Sequence, residues 1–156
     1  MKRSAQAKQH EALVTRPFTS VKNGNTRVSI LHTDLLHALA SDKFCVENLK
    51  EVTFGSMTLT KEDQSPLQKL KNVNTVGFYC CKNVDAILPV CSSMPLTLIF
   101  FELSDVSPES LKALANSSSI VEIVFEQNLT EDQVTILKSY PANIKITSSF
   151  PLDAYD

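Results

Sequence analysis

Three histidines and four cysteines are the residues of this 156-residue chain best suited to metal binding or nucleophilic chemistry. A tetrahedral metal site draws its ligands from converging pairs, typically of the C-x-x-C kind. Cys45, Cys80, Cys81 and Cys91 contain no such pair. His10, His32 and His37 all lie near the N-terminus, and His32 and His37 are spaced i, i+5, which does not put two ligands on one helical face. The four thiols therefore read as reduced and mostly buried, because free cysteine packs as a small hydrophobe. Cys80 and Cys81 are adjacent, so they must point to opposite sides of a strand or its exit turn, with Cys81 inward and Cys80 outward. A cysteine nucleophile needs a base within reach and a third group to orient it, and no such trio is marked. The carboxylates Glu62, Asp63, Glu131 and Asp132 fall at expected helix starts, where a capping role suffices. Ser117 to Ser119 read as loop. No catalytic residue, cofactor site or metal site is expected, and the chain reads as non-enzymatic.

The elements that carry these residues recur. An apolar-x-apolar strand motif appears at Val28 and Ile30, Val52 and Phe54, Val76 and Phe78, Leu98 and Phe100, Ile123 and Phe125, and Ile144 and Ile146. Successive spacings are 24, 24, 22, 25 and 21 residues. Self-similarity at such a period marks a repeat architecture. Helix signals fall between the strands. Thr60 and Thr130 each precede an acidic first turn, and Thr130 with Gln133 makes a capping box. Ser107 suits an N-cap, with Pro108 at the first helical position. Leu36 and Leu39, Leu67 and Leu70, Leu111 and Leu114, and Val134 and Leu137 supply apolar pairs for the helix faces. Unit three, "NVDAILPVC", is the weakest, because Pro89 should end its helix after a turn or two.

With "LKEVTFGSMTL", "VNTVGFYCCKNV" and "IVEIVFEQNL", the chain resembles the leucine-rich repeat family over roughly residues 25–147. The array is degenerate and resembles the irregular helix-containing repeats of F-box-associated and ribonuclease-inhibitor-like proteins more than a consensus solenoid. The resemblance implies an α/β fold, a short right-handed solenoid whose parallel sheet of about six strands is backed by helices. It also implies a ladder position whose side chain hydrogen-bonds the turn leaving each strand. Here that position holds Thr33, Met57, Cys81, Leu103 and Asn128, of which Cys81 and Asn128 fit best and Met57 and Leu103 do not fit. Asn128 is thus expected to be buried, and the sequon "NLT" at 128–130 unmodified. Asn116, in "NSS", is expected on a loop. The competing fold is a compact α/β sandwich with reordered strands. A nucleotide-binding version of it needs a glycine-rich first turn, whereas Gly24, Gly55 and Gly77 are isolated.

Alternation along each strand leaves the flanking positions on an open sheet face. Tyr79, Ile99, Phe101 and Val124 are expected there as an apolar patch, with Glu122 and Glu126 beside it. These six are the candidate partner-binding residues, because a soluble protein keeps large apolar side chains scattered unless they serve a contact. The rival explanation is cover by the chain's own ends, for instance Phe18 or "SSFPLDAYD". The expected function is a protein-protein interaction module, an adaptor or a substrate-recognition part, with no F-box-like segment in residues 1–27. The alternatives are a structural subunit or fragment of a larger assembly capped by neighbouring chains, and an α/β-type enzyme with a polar pocket at the strands' carboxyl ends.

Residues 1–24 hold Lys2, Arg3, Lys8, Arg16 and Lys22 against Glu11, which leaves −6 on the rest of the chain and disfavours nucleic acid as a partner. That basic segment is expected to be flexible, residues 25–147 to form the domain, and residues 148–156 to be a tail or cap. No apolar run is long enough for a membrane span, and "MKRSAQAKQH" lacks the apolar stretch of a signal peptide. A cytoplasmic or nuclear protein is expected.

Overall fold

Six short strands run parallel in one sheet, and their spatial order follows their order in the chain. This computed structural model describes residues 26–41, 46–149 and 152. The basic segment 1–24, nearly all of 150–156, His10, Phe18 and Cys45 lie outside the described residues. The strands are β1 (Arg27–Ile30), β2 (Glu51–Gly55), β3 (Thr75–Tyr79), β4 (Leu98–Glu102), β5 (Glu122–Phe125) and β6 (Lys145–Ser148). Between them lie helices α1 (Thr33–Leu39), α2 (Gln64–Gln68), α3 (Leu88–Cys91), α4 (Pro108–Leu114) and α5 (Glu131–Lys138), with single 3-10 turns ahead of α2 and α3. The protein is therefore α/β, with a parallel sheet of six strands and an intervening helix in each unit. No helix among the described residues is long and apolar enough to cross a membrane.

The helices begin where their caps dictate. The Ser107 hydroxyl accepts from the Ser110 N–H at 3.1 Å, with Pro108 next in line. In α5 the Thr130 hydroxyl accepts from the Gln133 N–H at 3.2 Å, and the Gln133 side chain accepts from the Thr130 N–H at 2.8 Å. The expected leucine and valine pairs of the helices are buried. Pro89 behaves differently from expectation. It opens the four-residue α3 instead of closing it, since the first turn of a helix has no need of its N–H.

Two rows of inward side chains cross the sheet in register. One is Val28, Val52, Val76, Ile99, Ile123 and Ile146; the other is Ile30, Phe54, Phe78, Phe101, Phe125 and Ser148. The four phenylalanines form a continuous stack, with ring centroids 5.6, 5.4 and 5.3 Å apart and interplanar angles near 15°. Each stacked pair adds about 0.5–1.5 kcal/mol beyond its area burial. These rows share one buried cluster with the helix leucines.

The observed register corrects the expected one in two places. In β4 the inward pair is Ile99 and Phe101, both fully buried, while Leu98 and Phe100 face the other way and are half-buried. In β6 Ile146 stands opposite Ile123, so the inward pair starts two residues later than expected. The inward positions thus recur at 24, 24, 23, 24 and 23 residues, a tighter period than the sequence pattern suggested. Stacking decides β4: only Phe101, not Phe100, continues the Phe78 to Phe125 column.

Candidate binding face

Beneath the open face, the turns that leave the strands are locked together. Cys81 is buried, and its thiol donates to the Phe54 carbonyl at 3.2 Å. The Cys81 N–H donates to the Ser104 hydroxyl at 3.0 Å, which itself donates to the Glu102 carbonyl at 3.0 Å. Gln127 then accepts from the Ser104 N–H at 2.9 Å and donates to the Ser104 carbonyl at 2.7 Å. The ladder therefore runs Cys81, Ser104, Gln127. Leu103 and Asn128, the residues expected there, are both exposed, so the expected burial of Asn128 does not hold. Met57 packs half-buried against the core, and the Thr33 hydroxyl donates instead to Asp63 at 2.5 Å.

On the sheet face above that ladder, the outward side chains fall into two full rows and a shorter one at the strand exits. The first is Arg27, Glu51, Thr75, Leu98, Glu122 and Lys145, and it is self-neutralising. Arg27 meets Glu51 at 3.0 Å, and Glu122 accepts from Thr147 at 2.6 Å with Lys145 at 3.7 Å. The second is Ser29, Thr53, Gly77, Phe100, Val124 and Thr147. Phe100 lies flat across Gly77, so closely that a Cβ added there would fall 1.9 Å from the ring. Only glycine permits that approach. Tyr79 and Glu102 pair at the strand exits, and Tyr79 is 43% exposed. Cys80, by charge and hydrogen bonding, and then Glu102 push the Tyr79 phenol above its ordinary range.

Of the six residues expected on this face, Tyr79, Glu122, Val124 and Glu126 are on it. Ile99 and Phe101 are not: both are fully buried on the opposite side. Leu98, Phe100 and Glu102 take their places. The apolar patch survives the correction, because "LIFF" offers a large apolar side chain to either face. Phe100 stands opposite Val124 on the next strand, and Tyr79 lies two residues beyond Gly77.

The groups with chemical potential act as structure. Asp63 is buried, with Thr33 on one oxygen and the Thr60 N–H at 2.9 Å on the other. His37 approaches the same oxygen as Thr33, at 3.7 Å. The acid thus sits between hydroxyl and imidazole, tying α1 to the next unit, whereas a nucleophile relay needs the imidazole in the middle. Burial pushes the Cys91 thiol up to about 12 and raises that of Cys81 as well, so neither is an activated nucleophile. Among the described residues no group of three or more His, Cys, Asp or Glu side chains could hold a metal ion. A cavity of about 350 Å³ near the end of α2 is lined by Gln68, Lys71, Ser93, Met94 and Pro95, without a carboxylate or histidine.

No protein-family model matches the chain, and a comparison with curated proteins returns no match.

Proposed function

We propose that this chain is a leucine-rich-repeat-like solenoid, working as a non-enzymatic interaction module that binds another protein through its open sheet face. One observation carries the reading: Leu98, Phe100, Val124 and Tyr79 lie together on a face that no described element covers. The sequential strand order and the 23- to 24-residue register support the solenoid. Aromatic side chains at the middle of a patch, with charges around them, suit a hot spot. Burying roughly 200–300 Å² of this apolar surface would contribute about 5–8 kcal/mol before the cost of association. The described cysteines are free, which favours a reducing compartment, cytoplasmic or nuclear.

The test is site-specific photo-crosslinking in the cells that express the protein. A crosslinker at Tyr79 should capture a discrete partner, and one at Thr135 on α5 should not. Capture from Thr135 alone would contradict the proposal.

A further inference from the structure

We propose that the partner of the open face is a protein presenting a basic segment, whose cations seat on Glu102 and Glu126 while its apolar side chains contact Phe100 and Leu103. This rests on the open-face reading and adds the partner's chemistry to it.

The acids of the face divide into two kinds. Glu51 and Glu122, at the strand entrances, are neutralised within the chain by Arg27 and Lys145. Glu102 ends β4, and Glu126 directly follows β5, held beside β4 by its N–H, which donates to the Phe101 carbonyl at 2.9 Å. Neither carboxylate meets a cation among the described residues. Adjacent strands lie about 4.8 Å apart, so the two negative side chains are neighbours, an arrangement that repels. The sequence around them holds no Lys or Arg between Lys82 and Lys112 or between Lys112 and Lys138. Acids in the first turns of α4 and α5 answer to the helix ends. Glu102 and Glu126 have no such duty.

The apolar half of the surface is equally unrelieved. Leu103, next to Glu102, is 64% exposed and adopts a left-handed backbone with φ 50°. The same backbone recurs at Ser56 and Cys80, where the chain leaves β2 and β3, so it belongs to the exit turn; at Leu103 alone that turn carries a large apolar side chain into solvent. A basic, apolar segment would answer both features: two carboxylates without cations and a large side chain held out in solvent. An acidic partner would add to the repulsion.

Fluorescence anisotropy with the full chain and a short labelled peptide alternating Arg and Leu tests this. Two companion peptides carry Ser or Glu in place of Arg. The basic peptide should bind, more weakly as salt rises. The double variant Glu102→Gln with Glu126→Gln should lose about tenfold in affinity, the size expected for two partly exposed ion pairs. Glu131→Gln should bind as the parent does. Retained affinity in the double variant, or no binding of the basic peptide, would overturn the inference. If instead the Ser or Glu peptide binds as tightly and Phe100→Ala abolishes it, the open face stands and the basic partner falls.

Discussion

Replacing Phe101 by alanine and, separately, Phe100 by alanine separates the two faces of β4. Phe101 is fully buried, with rings on both sides at 5.4 and 5.3 Å. Its truncation leaves a cavity in the middle of the phenylalanine column, and such changes cost about 3–5 kcal/mol. Lost stacking on two neighbours places this site toward the upper end. For a domain of this size, each kcal/mol shifts Tm by about 2–4 °C, so a fall of roughly 10–20 °C is expected. Phe100 is half-buried and rests on one strand's surface, so its loss removes part of one ring's contact with Gly77. A cost of about 1 kcal/mol follows from the smaller area. Chemical denaturation read by circular dichroism gives both values from the midpoint and slope. Equal costs, or a larger one for Phe100, would refute the register of β4.

Three other outcomes follow from the same geometry. Gly77→Ala should destabilise the parent by about 1–2 kcal/mol by lifting the Phe100 ring, yet be neutral or stabilising in a Phe100→Ala background, where a strand alanine improves on glycine; additive effects in the double-mutant cycle would contradict the contact. Gln127→Ala should cost about 1–3 kcal/mol, because it leaves both polar groups of the Ser104 backbone without their partner, while Asn128→Ala stays within about 0.5 kcal/mol. Unfolding midpoints for the pair decide whether Gln127 is the ladder residue. Alkaline pH should destabilise the fold: the buried Cys91 thiol ionises near its ordinary 9.0 when unfolded and at about 12 when folded, so its contribution is intact below pH 9 and is lost as pH rises toward 12. The loss is about 1.4 kcal/mol for each pH unit above 9, and Cys91→Val should flatten part of the decline in a pH series of denaturation curves.

Much of this fold is legible in the residues, and the failures have a common cause. The β2, β3 and β5 segments carry one clear apolar alternation each, so Val52 and Phe54, Val76 and Phe78, and Ile123 and Phe125 face inward as expected. The caps at Ser107 and Thr130 are equally local and equally clear. In "LIFF" both second-neighbour pairs, Leu98 with Phe100 and Ile99 with Phe101, are apolar, so alternation cannot choose a face, and the choice passes to the neighbouring strands. The misplaced β4 register then carried Leu103 into the ladder in place of Ser104. Uniformity of the period was the unused signal, since Ile99 and Phe101 restore 23 and 24 where Leu98 and Phe100 gave 22 and 25. Gly77 was a second one: with β4 in its true register, the glycine stands directly opposite Phe100. Asn128 misled because its residue type fits the ladder, whereas the exit turn of β5 delivers Gln127 to Ser104.

Affinity for the partner captured at Tyr79, measured for the parent chain, Phe100→Ala and the helix-face variant Lys112→Ala, tests the central claim most directly. Phe100→Ala should keep its fold and bind at least about tenfold more weakly, as expected for a hot-spot aromatic, while Lys112→Ala binds as the parent does. Undiminished binding by a folded Phe100→Ala chain would contradict the claim that the open sheet face is the binding surface.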